Sequence, residues 1–379
     1  MTSAFRFTLR TLIISTSIIV GTAYLGQAAE PGRPALAPAA VNRGVVELIT
    51  GRAEDVSVRI AEEIAGIVDD GATRRVVPVL GKGSLQNVTD LKYLRGIDLA
   101  IVPTDVLDYV REKHLSPGIE GSLTYIAKLY NQEFHLLARS DIKTISDLSG
   151  QLVNVDVQGS DTALTATRLL GLLHINAKTT NDGQHTALQK LRNGEIAALA
   201  FVVAKPAPFF EALRTTNGLH LLSIPLTPEV GGAYVPSRIT AADYPGLVAN
   251  EQLIDTVAVG TVLVAADLRN SAERYRNVTN LIDALFTNFQ GLLAPGHHPK
   301  WREVNIAAEF PGWTRHPAAQ QWLQRNAPVA ENPSPQSLQV LFSRFIDERR
   351  QTGGEAPMSD AEKEALFRQF RAWQNGQAR

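Results

Sequence analysis

The chain has 379 residues, of which 44% are hydrophobic, and its 37 lysine and arginine residues almost balance 38 aspartate and glutamate residues. A net charge of −1 excludes the broad basic surface that binds nucleic acid or acidic membranes, so no nucleic-acid partner is expected. The absence of cysteine excludes a disulfide framework and a lipid-anchored N-terminal cysteine, while length and composition predict two or three folded domains.

The N-terminus has the pattern of an export signal. Arg6 and Arg10 precede an apolar run over residues 12–25, and small residues follow at 26–29. This order predicts a cleavable signal peptide over residues 1–29 and a periplasmic protein. An uncleaved membrane anchor is the alternative, although serine, threonine and glycine interrupt the run and it is short for a bilayer span. The proline-containing residues 30–44 are predicted to form an unstructured leader.

Strand and helix signals alternate after this leader. A β-branched run at 45–50 predicts a strand, apolar residues at helical spacing predict a helix over 55–68, and 76–80 predicts the next strand. A polar turn at 81–84 leads into a helix that Gly96 ends, and a strand at 97–102 precedes a helix capped by Thr104. This alternation is typical of a mostly parallel sheet with crossover helices.

The pattern restarts in the middle of the chain, which predicts a second lobe. Its expected strands are 134–138, 151–157, 196–203 and 219–224, and a strand at 256–265 is expected to return the chain to the first lobe. We therefore expect an α/β protein with a first lobe of 45–125 and 253–290 and a second lobe of 126–252. Residues 291–379 are predicted to form a helical C-terminal extension, with amphipathic stretches at 337–350 and 359–373 that pack on the lobes or meet a partner.

The turn between the strand at 151–157 and the following helix has the features of an anion site. Gly159 allows a close backbone approach, and Ser160, Asp161 or Thr162 can cap the helix and leave its positive end facing outward. A small carboxylate or phosphate fits such a turn. The alternative is a well-capped helix of an ordinary α/β fold.

Ligands of open α/β sheets bind beyond the carboxyl ends of the strands, so the polar turns are expected to converge on a cleft between the lobes. Basic residues near strand ends can pair with a ligand carboxylate. The tyrosine of a glycine-rich run either forms a lip over the cleft or is an ordinary aromatic residue of a loop. The predicted ligand-binding residues are Thr50, Arg52, Gly83, Ser84, Thr104, Gln158, Gly159, Ser160, Asp161, Thr162, Lys205 and Tyr234.

Catalytic and metal chemistry have little support in the sequence. Glu54 and Asp55 are adjacent carboxylates, but neighbouring residues of a helix point in different directions. His135 is expected to be a structural histidine of a strand, and His297 and His298 have no further ligands at metal-binding spacing. We expect no catalytic residue, metal or cofactor. A hydrolase that uses Glu54 is kept only as a third interpretation, after the receptor and the interaction module described below.

Several motifs in this order resemble the TAXI-type solute receptors of tripartite TRAP transporters, over residues 45–286. The similar segments are Gly83-Ser84 with Asn87, residues 98–101 with Thr104-Asp105, 131–135, 147–150 with 153–155, 159–162, and 255–259. The resemblance implies a two-lobed type II periplasmic binding protein. It also implies a monomer that captures a small organic anion, such as an amino acid or dicarboxylate, by lobe closure and delivers it to a TRAP-type membrane permease.

The first turn departs from the pattern of that family. Its members carry a glycine-rich loop there, whereas this chain has Arg52, Glu54 and Asp55, and Pro103 replaces a polar residue. Carboxylates in the cleft would oppose an anion, so Asp55 or Glu54 is expected to cap the helix from outside the pocket. The altered turn and the long extension motivate an alternative function, a non-transport sensor or interaction module that acts through the C-terminal helices.

Overall fold

The computed structural model describes residues 42–214 and 218–326; the predicted signal peptide, most of the leader and both amphipathic stretches of the extension lie outside them. The first part of the chain alternates strands and helices as the apolar pattern predicts. Its elements are β1 (Val45–Thr50), α1 (Val56–Val68), β2 (Arg75–Leu80), α2 (Ser84–Tyr93), β3 (Ile97–Pro103), α3 (Thr104–Glu112) and α4 (Ile119–Ser122).

The middle of the chain begins with the longest strand of the described residues. Its elements are β4 (Leu123–Arg139), a 3-10 turn (Ile145–Leu148), β5 (Leu152–Asn154), α5 (Asp161–Leu172), β6 (Lys178–Thr180), α6 (Gln184–Arg192), β7 (Ala198–Val203), α7 (Pro208–Glu211), β8 (Leu219–Leu221), α8 (Pro228–Ala233) and β9 (Val235–Thr240). The last part contains β10 (Leu253–Ala266), α9 (Ala272–Thr287), two 3-10 turns (Phe289–Leu293 and Pro299–Glu303) and α10 (Pro317–Asn326).

The strands form one ten-stranded sheet in the order β2-β1-β3-β10-β4-β7-β5-β6, with β8 beside β4 and β9 beside β10. β1 is parallel to β2 and β3, whereas β10 is antiparallel to β3 and β4. Both β4 and β10 therefore run through the whole molecule and join its two halves. β10 pairs with β3 of the first half, while its assignment to the first lobe stays a prediction.

Each half of the sheet is covered by apolar residues on both faces. In the first half, Leu48 and Leu99 belong to one buried cluster, while Ile49 and Ala100 belong to another, as alternation along a strand requires. In the second half, Leu136 and Leu137 divide in the same way between two further clusters. The predicted two-lobed α/β architecture is confirmed, while the lobe bounds at 125/126 and 252/253 stay a prediction.

Three local predictions are corrected by the structure. The segment 134–138 is not a separate strand but part of β4, because β10 and then β7 pair along its whole length. The strand expected at 151–157 ends at Asn154, since Asp156 has φ of 68° and cannot continue the ladder. Thr104 does not cap α3: it is the first helical residue, and Pro103 holds the cap position.

Candidate functional site

A cavity of about 710 Å³ lies between the two lobes, within the size range of small-molecule sites. The turn after β1, the turn before α2 and Gln132 of β4 form one wall, and the second lobe forms the others. Five of the predicted binding residues line it: Arg52, Gly83, Ser160, Asp161 and Thr162. The structure thus brings the first turn and the 160–162 turn to one cavity.

The wall after β1 carries three charged side chains, Arg52, Glu54 and Asp55. The Arg52 guanidinium lies 3.4 Å from the Glu54 carboxylate and 3.8 Å from that of Asp156. Thr50 does not line the cavity, because its buried hydroxyl donates to the carbonyl oxygens of Val79 and Gly51. Thr50 shapes the turn, and ligand contact by its side chain stays a prediction.

Asp55 faces the cavity, so the expectation that it caps α1 from outside the pocket is wrong. Its backbone holds the cap position, but its side chain makes no cap hydrogen bond and instead accepts from the Arg52 N–H at 2.5 Å. Gly51 permits this fold-back, since a β-carbon there would lie 2.0 Å from Asp55 Oδ2. Burial, and then the nearby Asp161 carboxylate, raise the pKa of Asp55 to about 7.

Two predicted anion-binding turns meet each other across the cleft. The Ser84 N–H donates to Asp161 Oδ1 at 2.8 Å, and the Ser84 hydroxyl donates to Asp161 Oδ2 at 2.7 Å. A β-carbon on Gly83, whose φ is 145°, would lie 2.2 Å from the carbonyl oxygen of Gly159, so only glycine permits this approach. The anion at the start of α2 is therefore the chain's own Asp161, whose pKa burial raises.

A second contact joins the lobes beside the first. The Thr165 hydroxyl of α5 donates to Asp105 Oδ2 of α3 at 2.7 Å, and the Arg168 guanidinium donates to the Asp105 carbonyl oxygen at 3.3 Å and to Glu112 at 3.2 Å. Burial raises the pKa of Asp105 to about 7. Two neighbouring sets of side-chain contacts thus hold the lobes together.

The remaining predicted residues lie off the cavity wall. Thr104 starts α3, Tyr234 is buried in the apolar cluster of the second lobe, and Lys205 binds the Arg238 carbonyl oxygen and, at 3.1 Å, the Asp243 carboxylate. Gln158 and Gly159 are exposed at the tip of their turn. Ligand contact by these residues stays a prediction.

The start of α6 forms part of the cavity wall that the sequence did not single out. Its cap residue Gly183 has no side chain to satisfy the first N–H groups, and Gln184, His185 and Thr186 line the cavity beside it. Unsatisfied N–H groups at a helix start attract a carboxylate. The sequence pattern did not predict this part of the wall, because β6 before it is short and polar.

Aromatic side chains form another part of the cavity lining. Phe201 of β7 and Phe209 of α7 meet edge to face with ring centroids 5.6 Å apart, and Ala207, Pro208 and Leu213 extend the apolar surface. Phe209 lies within α7 and not at the end of a strand, so the polar turns at strand ends did not predict it. The cavity can therefore hold a solute with both a polar and an apolar part.

His135 is structural, as expected. Its ring is buried between the Glu133 carbonyl oxygen and the Tyr244 hydroxyl, each 2.9 Å away, and it stacks on Phe210. Burial lowers its pKa to about 3. In residues 42–214 and 218–326 no group of histidine, aspartate and glutamate side chains has the arrangement of a metal site.

Within the described part of the chain, no helix has the length and apolar character needed to cross a membrane.

The profile of the NMT1-like family matches residues 53–324. Solved structures that match this chain have low sequence identity to it. YhfZ from Shigella flexneri is 17% identical, with 66% of this chain and 90% of that chain covered and a TM-score of 0.41.

Two solute-binding proteins are similar to a comparable degree. A TctC solute binding protein from Polaromonas is 16% identical over 74% of this chain and 88% of its own, with a TM-score of 0.41. The periplasmic aliphatic sulphonate binding protein SsuA from Escherichia coli is 16% identical over 84% of this chain and 91% of its own, with a TM-score of 0.39. At these TM-scores the structures are only loosely alike and identify no ligand for the present chain.

Proposed function

We propose that the chain, which belongs to the NMT1-like family, is a solute receptor. It binds a small organic molecule between its lobes and delivers it to a membrane permease. The observation that carries the proposal is the cavity of about 710 Å³. Both lobes line it, and hydrogen bonds such as Ser84 to Asp161 hold them against each other. Such a site opens and closes by movement of the lobes.

The ligand proposed here carries at least one carboxylate, as an amino acid or a dicarboxylate does. Support comes from the unsatisfied start of α6 at Gly183–Thr186 and from the guanidinium groups of Arg52 and Arg192 on the cavity wall. The residues expected to position it include Ser160 and Thr162 at the start of α5. Binding of this kind requires no bond to break.

The place of action proposed here is the periplasm, with a TRAP-type permease as the partner and a monomeric receptor. The export pattern of residues 1–29 and the resemblance over residues 45–286 support these points. Co-purification of the receptor with a permease encoded beside it tests the partner, and fractionation of cells tests the location.

A thermal-shift screen of the purified protein against amino acids and dicarboxylates tests the function. A solute at a hundred times its dissociation constant stabilises the folded protein by about 2.7 kcal/mol, which raises Tm by several degrees. Phe209→Ala removes part of the cavity wall and should reduce the shift, whereas Phe289→Ala, a partly buried phenylalanine of the first lobe outside the cavity, should not. If no small solute raises Tm, the receptor function is wrong.

A further inference from the structure

We infer that the solute carries a protonated amine that pairs with Asp55 and a ring-sized apolar body that packs on Phe201 and Phe209. The inference rests on the proposed receptor function and specifies its ligand. This ligand differs from a plain organic anion, because the charges of the cavity favour a positive group at one end.

Asp55 has no ion-pair partner among the charged side chains of the cavity. Four carboxylates line the cavity, those of Glu54, Asp55, Asp156 and Asp161. Arg52 lies between Glu54 and Asp156, and Asp161 is hydrogen-bonded to Ser84. Among the residues that the structure describes, no lysine, arginine or histidine forms an ion pair with Asp55, which accepts one backbone N–H from Arg52.

A buried acid without an ion-pair partner is a candidate functional residue, because burial disfavours its charge. Burial is the main cause that raises the pKa of Asp55 to about 7, and Asp161 adds to it. The charged groups that face Asp55 are Arg52, Glu54 and Asp161. A ligand ammonium beside Asp55 would supply the missing positive charge.

Further polar side-chain atoms of this region lack a hydrogen-bond partner, among them Arg52 Nη1, Gln184 Oε1 and the Tyr130 hydroxyl. Gln184 lines the cavity and its amide nitrogen donates to the Ala200 carbonyl oxygen at 3.0 Å, whereas its Oε1 is buried and accepts nothing. The Tyr130 hydroxyl, on a side chain with 0% exposure, also has no partner, and after burial the Asp55 and Asp161 carboxylates raise its pKa. The free amide oxygen of Gln184 is suited to an N–H donor on a ligand.

The apolar end of the solute follows from the aromatic residues of the cavity lining. Phe201 and Phe209 meet edge to face at 5.6 Å, and His185 lies edge-on to Phe209 at 5.9 Å. Ala207 and Leu213 continue this surface. An aromatic or branched body placed there is removed from water and contacts ring faces at the spacing that aromatic pairs prefer.

A matched set of three probes separates the chemical groups. Phenylalanine carries the amine, the carboxylate and the ring; phenethylamine lacks the carboxylate; 3-phenylpropionate lacks the amine. Isothermal titration calorimetry on the full protein at pH 8 should show phenylalanine binding at least ten-fold more tightly than 3-phenylpropionate, with measurable binding of phenethylamine. Equal binding of phenylalanine and 3-phenylpropionate overturns the inference, as does no binding of either amine.

Failure of this inference can be distinguished from failure of the proposed receptor function. If a dicarboxylate without an amine binds in the cavity and the amines do not, the receptor function stands and the inference falls. If nothing in the wider solute screen binds, the receptor function itself falls.

A variant pair and a proton measurement complete the test. Asp55→Asn should weaken phenylalanine binding at least ten-fold, whereas Glu62→Gln, which removes an exposed carboxylate of α1 outside the cavity, should change it less than two-fold. At pH 6.5 the wild-type protein should release a proton when phenethylamine binds, because the ammonium favours ionised Asp55. Titration in two buffers of different ionisation heat measures this release even if Asp55→Asn fails to fold, and its absence overturns the inference.

Discussion

The carboxylate of Asp55 makes the stability of the ligand-free protein depend on pH. Its pKa is about 7 in the folded chain and about 3.9 when unfolded, so between these values the folded state binds a proton that the unfolded state does not. The contribution of Asp55 to the free energy of unfolding is therefore most favourable below pH 4 and is lost as the pH rises to 7.

Replacement of Asp55 by asparagine should remove this loss. We expect Asp55→Asn to raise the free energy of unfolding by about 1–3 kcal/mol at pH 8 and to change it little at pH 4. Urea denaturation of both proteins at the two pH values measures the difference. Burial also raises the pKa of Asp105 to about 7, so only the difference between variant and wild type isolates Asp55. An equal effect at both pH values would contradict this assignment.

Single residues also show what the sequence pattern does not predict, which is the contacts of side chains between turns. An acidic residue before a helix is usually a cap, and only the close approach of Gly51 to the Asp55 side chain reveals that Asp55 turns inward. Likewise, the pattern cannot show that Asp161 reaches Ser84, which lies 77 residues earlier. Distances between turns depend on tertiary packing, and local periodicity does not contain them.

At the level of elements, the start of α2 is fixed to the start of α5. Ser84→Ala removes the hydroxyl bond to Asp161 and should lower the free energy of unfolding by about 1–2 kcal/mol. Because this bond joins the lobes, the ligand-free variant should also have a larger radius of gyration in small-angle X-ray scattering.

Ser122 provides the matched control for this change. Its hydroxyl donates only to the Gly118 carbonyl oxygen, at the start of the same short helix. Ser122→Ala should therefore leave the radius of gyration unchanged. If Ser84→Ala and Ser122→Ala behave alike, the contact between the turns does not hold the lobes.

The described part of the C-terminal extension is anchored by a buried ion pair. Lys300 has 2% exposure, and its ammonium lies 2.7 Å from the Glu133 carboxylate of β4 and 2.8 Å from that of Glu303. Lys300→Met would leave Glu133 buried and unpaired, with an expected loss of about 3–5 kcal/mol in denaturant unfolding. The double variant with Glu133→Gln should regain part of this loss.

The exposed Lys113 serves as the control, because Lys113→Met removes a charge without opening a buried pair. A cost below about 1 kcal/mol for Lys300→Met would show that the pair does not anchor the extension. The sequence predicted an extension here, but its contact with β4 spans 167 residues and had no signal in the pattern.

For the whole molecule, the alternation of strands and helices was enough to predict two lobes and the return of a late strand. Long apolar strands such as β10 carry strong signals, since their residues are buried on both faces. The short strands β5 and β6 carry weak signals, and Asp156 and the start of α6, which follow these strands along the chain, belong to the cavity wall. The fold was therefore more predictable than the site.

A crystal structure of the protein with the tightest-binding solute of the screen is the decisive test of the proposed site. We expect electron density in the cavity near Asp55, Phe201 and Phe209, with atoms from both lobes in contact with the solute. Density confined to the groove near Lys143 and Leu222 on the second lobe, with the inter-lobe cavity filled only by water, would contradict this expectation.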